Sequence, residues 1–206
     1  MIYIGLLFKG IIIGFAIAAP VGPIGVLCIR RTLAEGRASG FVSGLGAATA
    51  DAIYGSIAAL GLTFVAHFLI SGEAWLRLVG GAFLVFLGVK TFLSRPAERA
   101  TPVGKSAPLG AYASTFFLTL TNPATILSFA AIFAGLGAGS AGGDALSAIS
   151  LVLGVFLGSA QWWFVLSGVT SLFRAKLSAG GLRWVNRVSG TILATFGVLA
   201  VAGLGG

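Results

Sequence analysis

Long, unbroken apolar segments make up most of this chain, and short polar connections are all that separate them. These segments do not alternate polar and apolar residues as barrel strands must, and lipid tolerates only helices or closed barrels across its core. The expected fold class is therefore all-α, a polytopic membrane protein. Composition agrees: 57% of the 206 residues are hydrophobic and 9% are charged, with mean hydropathy +1.04, whereas soluble domains carry about 25% charged residues. So short a chain makes one bundle, a single transmembrane domain over residues 1–206, with no separate soluble domain.

Six spans are expected, at 3–29, 39–69, 75–93, 111–136, 146–172 and 184–203, each long enough for the roughly 20 residues that cross a bilayer. Charges sort by connection. Arg30, Arg31 and Arg37 flank the first; Lys90, Arg95, Arg99 and Lys105 occupy the third; Arg174, Lys176, Arg183 and Arg187 surround the fifth. The second has only Arg77 at its edge, and the fourth has Asp144 and no base. By the positive-inside rule the odd connections face the cytoplasm and both termini lie outside. The basic residues are read as topology determinants and, with Lys9, as snorkelling side chains, without chemistry of their own. The run ending Ala16-Ile17-Ala18 is read as a retained helix and not a signal peptide, because no basic stretch precedes it and the apolar character continues through Cys28. That lone cysteine excludes an intramolecular disulfide, and packing is its expected role.

The polar connection from Ser94 to Pro108, with Pro96 and Pro102 inside it, divides the chain into two groups of three spans: repeat 1–94, linker 95–110 and repeat 111–206. Three is odd, so the groups run in opposite directions. Trp75, Val79, Gly81, Leu84, Gly88 and Val89 match Trp184, Val188, Gly190, Leu193, Gly197 and Val198 at one fixed offset. Aligning Gly44 with Gly154 places Asp51 over Gln161. Ala19-Pro20-Val21-Gly22-Pro23 in the first span has its counterpart in Thr121-Asn122-Pro123 in the fourth. A 3+3 inverted repeat with interrupted helices at matching positions is the sequence signature of a secondary transporter with a midplane site.

The interruptions have a physical basis. Pro20 and Pro23 remove backbone donors, and Pro20 drives Ala19 out of helical geometry. Pro23 suits the first turn of a new helix, and Asn122 with Pro123 restarts the fourth span in the same way, as N-cap and first helical residue. Each restart presents free N–H groups and a positive dipole end, a setting that favours a carboxylate.

Asp51 is the only acid inside any apolar segment, and its placement costs roughly 2.5–3.5 kcal/mol on insertion scales, so it needs a function or a partner. Together the helix ends and Asp51 complement a zwitterion, with an ammonium group or a transported proton at the carboxylate. Gly44, Ala47, Ala48, Asp51, Tyr54 and Gly55 share one helical face that should point into the bundle. The expected site comprises Pro20, Val21, Gly22, Pro23, Asp51, Tyr54, Asn122, Pro123, Gln161 and Trp162, with Asp51 as the proton-coupling group. His67, the only histidine, is placed at the outer interface.

Ala19-Pro-Val-Gly-Pro-Ile-Gly, Arg30-Arg31, Ala50-Asp51 on a Gly-rich second helix, Thr121-Asn122-Pro123 and the Gly190-to-Gly197 helix together resemble the LysE/RhtB amino-acid exporters of the LysE superfamily, over essentially the whole chain. The resemblance implies a bacterial inner-membrane exporter of amino acids or close derivatives, driven by the proton gradient. Pro20, Gly22, Pro23, Asp51, Asn122 and Pro123 match its motif positions. The expected partners are an amino-acid substrate and the lipid bilayer, with no nucleic acid and no cofactor. Packing of the Gly-rich third and sixth helices is left open between a single chain and a homodimer. A single internal acid favours neutral over dibasic substrates. A cation or heavy-metal exporter of similar architecture is the alternative, although metal transport favours several sulfur, imidazole or carboxylate ligands. A redox carrier would want a cysteine in each half. Hydrolysis would want a nucleophile, His and acid cluster or metal ligands, so no enzyme is expected.

Overall fold

The computed structural model describes residues 2–20, 22–59, 73–94, 107–122, 124–129 and 145–203, and every regular element among them is helical. Seven helices follow in chain order: α1 (Ile2–Ala18), α2 (Pro23–Glu35), α3 (Arg37–Ala59), α4 (Glu73–Phe92), α5 (Ala107–Leu120), α6 (Ala145–Arg174) and α7 (Ala179–Val201). A short helical stretch, 124–129, follows α5. Ala74–Phe92, Ala145–Arg174 and Gly180–Val201 are each long and apolar enough to cross a membrane, and the bent pair α1 and α2 makes a fourth candidate. The protein is thus a multi-pass membrane protein. The second and fourth expected spans run partly outside the described residues, as does His67.

The first expected span is interrupted at its prolines, and the chain turns by 82° between α1 and α2. α2 runs on past residue 29, the expected end of the span, to Glu35, whose side chain pairs with Arg30 at 3.0 Å. Gly36 then ends it at φ +109°, a left-handed conformation that strains other residues, with its N–H on the carbonyls of Arg31 and Thr32. α3 begins at the next residue.

Small residues set the helix pairs. Gly10 and Gly14 on α1 face Gly154 and Gly158 on α6, two small-xxx-small motifs lying backbone to backbone. A Cβ on Gly10 would fall 2.9 Å from the Gly154 Cα, and one on Gly158 would fall 2.8 Å from the Ile11 carbonyl carbon. Contacts advance together along both chains, so α1 and α6 are parallel.

Between α4 and α7 the order reverses, and the pair is antiparallel: Gly81 meets Gly197, and Gly88 meets Gly190. These contacts are reciprocal, each glycine's missing Cβ pointing 2.6–2.8 Å from the other's carbonyl oxygen. α3 also runs against α6, with Gly44 under Trp163 and Gly55 beside Val155. The Gly-rich third and sixth expected spans therefore pack on each other within one chain.

The small-residue face expected on α3 is buried as a unit, Gly44, Ala47, Ala48, Asp51, Tyr54 and Gly55 included. Arg31 departs from expectation. It is only 8% exposed, and its guanidinium donates to Ser43 Oγ (2.9 Å), Thr115 Oγ1 (3.0 Å), the Ala111 carbonyl (2.9 Å) and Ser114 Oγ (2.7 Å). Arg30 donates to the Asn186 side chain at 3.0 Å. These two arginines therefore tie α2 to α3, α5 and α7, because a buried guanidinium must have its donors met inside the bundle.

Candidate functional site at two helix breaks

The break between α1 and α2 leaves Gly22 as N-cap and Pro23 as the first helical residue. Gly22 has no side chain to cap the helix, so the first-turn N–H groups of α2 take no side-chain acceptor. Its backbone donates to the Pro20 carbonyl at 3.0 Å, which tightens the turn, while Val26 N–H closes on the Gly22 carbonyl. Nothing lies within 4 Å of where a Gly22 Cβ would point, so the turn borders open space.

The second break is capped as the sequence suggested. Asn122 Oδ1 accepts from Ala124 N–H at 3.2 Å, and the Asn122 carbonyl accepts from Thr125 and Ile126 N–H. Its Nδ2 donates to Thr125 Oγ1 at 3.1 Å, which fixes the orientation of the amide. Val21 and Pro123 lie outside the described residues.

Both breaks meet α3 at one cavity of about 60 Å³, lined by Gly22, Pro23, Asp51, Thr119, Asn122 and Thr125 among others. A larger cavity of about 360 Å³ shares Pro20, Gly22, Pro23, Asn122 and Thr125 with it. It extends along α4 and α7 to Arg77, Phe196 and Leu199. The smaller space suits a water or two, and the larger falls within the 300–1,000 Å³ of small-ligand sites.

Asp51 is 3% exposed, and its Oδ2 accepts a 2.7 Å hydrogen bond from Ser159 Oγ on α6. Ser159 in turn accepts from Trp163 Nε1 at 3.1 Å. The carboxylate therefore has a neutral donor chain and no cation within ion-pairing distance among the described residues.

Tyr54 does not hold Asp51. Its hydroxyl donates to the carbonyl of Leu120, the last residue of α5, which meets one of the acceptors that the break leaves free.

The α6 residues expected at the site are displaced around the helix. Gln161 is exposed, and Trp162 packs edge-on against Phe15 of α1 at 5.3 Å; neither lines the site cavity. In their place Trp163 lines the cavity and Ser159 bonds Asp51. Gln161 is two residues from either, about 200° around a helix of 3.6 residues per turn, so it faces outward. The spacing Val155, Ser159, Trp163 at i, i+4, i+8 was the available signal.

Comparison with known proteins identifies the family. The LysE type translocator family matches residues 15–203. The chain is 29% identical over 194 residues to a Bacillus subtilis (strain 168) protein named "Putative amino acid efflux protein YcgF", covering 91% of this chain and 90% of that one. It is 30% identical over 173 residues to the "Uncharacterized membrane protein YahN" of Escherichia coli (strain K12), covering 82% of this chain and 76% of that one. No solved structure matches significantly. With the family match spanning both breaks, Asp51 and every helix from α2 to α7, the chain belongs to the LysE type translocator family.

Proposed function

We propose that this protein exports amino acids or close derivatives across the bacterial inner membrane by proton-coupled alternating access. The observation that carries the reading is the convergence of two helix N-termini and one buried carboxylate on a single cavity. Amino-acid efflux is named for the Bacillus subtilis relative. A zwitterion fits this charge layout: its carboxylate lies at the uncapped first turn of α2, its ammonium group or an exchanged proton lies at Asp51, and its side chain occupies the larger cavity. Asp51 is the proton-coupling group. Tyr54 shapes the site by holding the end of α5.

The architecture in this reading is a 3+3 inverted repeat, 1–94 and 111–206 about a cytoplasmic linker at 95–110, with both termini outside. The α4–α7 contacts support it. The register that equates Gly81 with Gly190 and Gly88 with Gly197 exchanges the Gly81–Gly197 contact with the Gly88–Gly190 contact, as a two-fold axis between inverted halves requires.

The test is a thermal-shift screen of purified protein against the proteinogenic amino acids and divalent metal ions, since a ligand that binds only the native state raises its stability. Stabilisation by one or a few amino acids is expected. A response confined to metal ions would replace this reading with cation export.

A further inference from the structure

A second cavity, of about 430 Å³, lies toward the other end of α4. The larger of the two site cavities reaches Arg77 near the start of α4, whereas this one reaches Lys90, Thr91 and Ser94 at its end. A cluster of leucines separates them. Leu84 and Leu118 line the site cavity, Leu27 and Leu87 line the second, and all four pack together with Leu193 in one apolar plug.

The walls beyond the plug carry Arg30, Arg31 and Lys90 against a single carboxylate, Glu35. That carboxylate is fully occupied, one oxygen by Arg30 at 3.0 Å and the other by Ser39 Oγ at 2.6 Å. Arg31, more than nine-tenths buried, donates only to neutral oxygens and forms no direct ion pair among the described residues; Glu35 acts on it only from beyond ion-pairing distance. Lys90 is exposed and sits over the Phe86 ring at 5.9 Å, likewise without a carboxylate among the described residues. A buried cation held by dipoles alone keeps its field, and low-dielectric walls focus that field into the cavity.

We infer that this cavity is a second anion site, the loading station where the carboxylate of a substrate is taken up before it passes the leucine plug. The inference rests on the amino-acid export reading. By the sorting of charges, the station opens on the cytoplasmic side. Arg31 and Lys90 supply the field, and Arg30 and Glu35 neutralise each other. A free substrate carboxylate and the phosphate of an anionic lipid share the chemistry these cations recognise, and the experiment separates them.

Lys90 is the residue to change, because it is exposed and bonds no other helix among the described contacts. Uptake of the amino acid that most stabilises the wild type is measured in everted vesicles, which present the cytoplasmic face, and in right-side-out vesicles. Lys90→Gln should raise KM in everted vesicles about two- to fivefold, the range of an exposed ion pair. Lys90→Glu should raise it further, Lys90→Arg should restore it, and KM in right-side-out vesicles should not move. Equal KM for wild type and Lys90→Glu in everted vesicles overturns the inference, as does an equal rise from both faces. Reconstitution in phosphatidylcholine with and without phosphatidylglycerol tests the lipid source. If the Lys90 variants change only the dependence on phosphatidylglycerol, the cavity holds a headgroup and not substrate. Absence of uptake by the wild type itself would sink the export reading together with this inference, whereas wild-type uptake with indifferent variants sinks only the latter.

Discussion

Replacing Gly14 with alanine tests whether backbone contact between α1 and α6 holds the first helix in place. A Cβ at Gly14 would lie 2.8 Å from the Val155 carbonyl carbon and 2.9 Å from its Cα, and closer still to the carbonyl oxygen. Ordinary van der Waals contact begins near 3.4 Å. The obstacle is backbone, which cannot swing aside, and the carbonyl oxygen is the closest part of it, so the two helices must separate by about an ångström, and a gap of that size forfeits about half of each dispersion well. A helix face makes tens of such atom pairs at about 0.1–0.2 kcal/mol each, so the loss is on the order of 2 kcal/mol, within the usual range for overpacking. Alanine recovers up to about 1 kcal/mol through helix propensity.

Gly5, on the same helix, has nothing within 4 Å of its Cβ position and isolates that second effect. Gly14→Ala should therefore lower the midpoint of unfolding in mixed dodecyl maltoside and SDS micelles, followed by tryptophan fluorescence. Gly5→Ala should leave it unchanged or raise it. Gly158→Ala, which meets the Ile11 backbone in the same manner, should match Gly14→Ala. Equal midpoints for the Gly5 and Gly14 variants would refute the parallel backbone-to-backbone packing of α1 on α6.

Other substitutions probe the site. Asp51→Asn should abolish gradient-driven export in reconstituted vesicles while exchange of substrate across the membrane persists; unimpaired pH-driven export would remove Asp51 from coupling. Gly22→Leu projects into open space, so its melting temperature should stay close to wild type while stabilisation by amino acids disappears. Normal substrate affinity in that variant would show that the turn is not part of the site. Tyr54→Phe leaves the Leu120 carbonyl unmet and should cost about 1 kcal/mol in the same unfolding assay. Ser159→Ala removes the hydrogen bond to Asp51 and should cost about 1 kcal/mol, rising to about 1.5–3 kcal/mol at a pH where the carboxylate is ionised. No loss would mean that Asp51 finds its partner elsewhere.

Much of this arrangement is legible in the sequence because the membrane narrows what backbone can do. Pro23 and Asn122 mark both restarts, since a proline without an N–H is tolerated only in a first turn and an Asn side chain meets the N–H that follows. The inward face of α3 follows from helical spacing around Asp51. What escapes is orientation on the long α6. Aligning the halves column by column selects Gln161, but alignment fixes register and not facing. Arg30 and Arg31 escape for a related reason: loop arginines and buried hubs carry the same letters, and only the approach of Ser43, Ser114 and Thr115 from α3 and α5 distinguishes them. The pairing of Gly10 and Gly14 with Gly154 and Gly158 was readable as two small-xxx-small motifs, yet glycine is so common here that spacing alone does not nominate partners.

The polar contacts of α3 bear on how a proton drives the proposed alternating access. Three hydrogen bonds cross from α3 to later helices: Asp51 to Ser159 on α6, Tyr54 to the end of α5, and Thr49 to the Tyr112 hydroxyl on α5. Movement of one half against the other must strain or break such contacts. The Tyr54 and Tyr112 bonds join neutral groups. The Asp51 bond is charge-assisted when the carboxylate is ionised, and charge-assisted hydrogen bonds are roughly twice as strong as neutral ones. Protonation of Asp51 therefore weakens that link and leaves the neutral ones untouched, so the cost of separating α3 from α6 at this depth depends on whether the carboxylate carries a proton. Asparagine at position 51 holds the link in its neutral, weaker form. That variant should exchange substrate without responding to a proton gradient, because the step on which the gradient acts is no longer there.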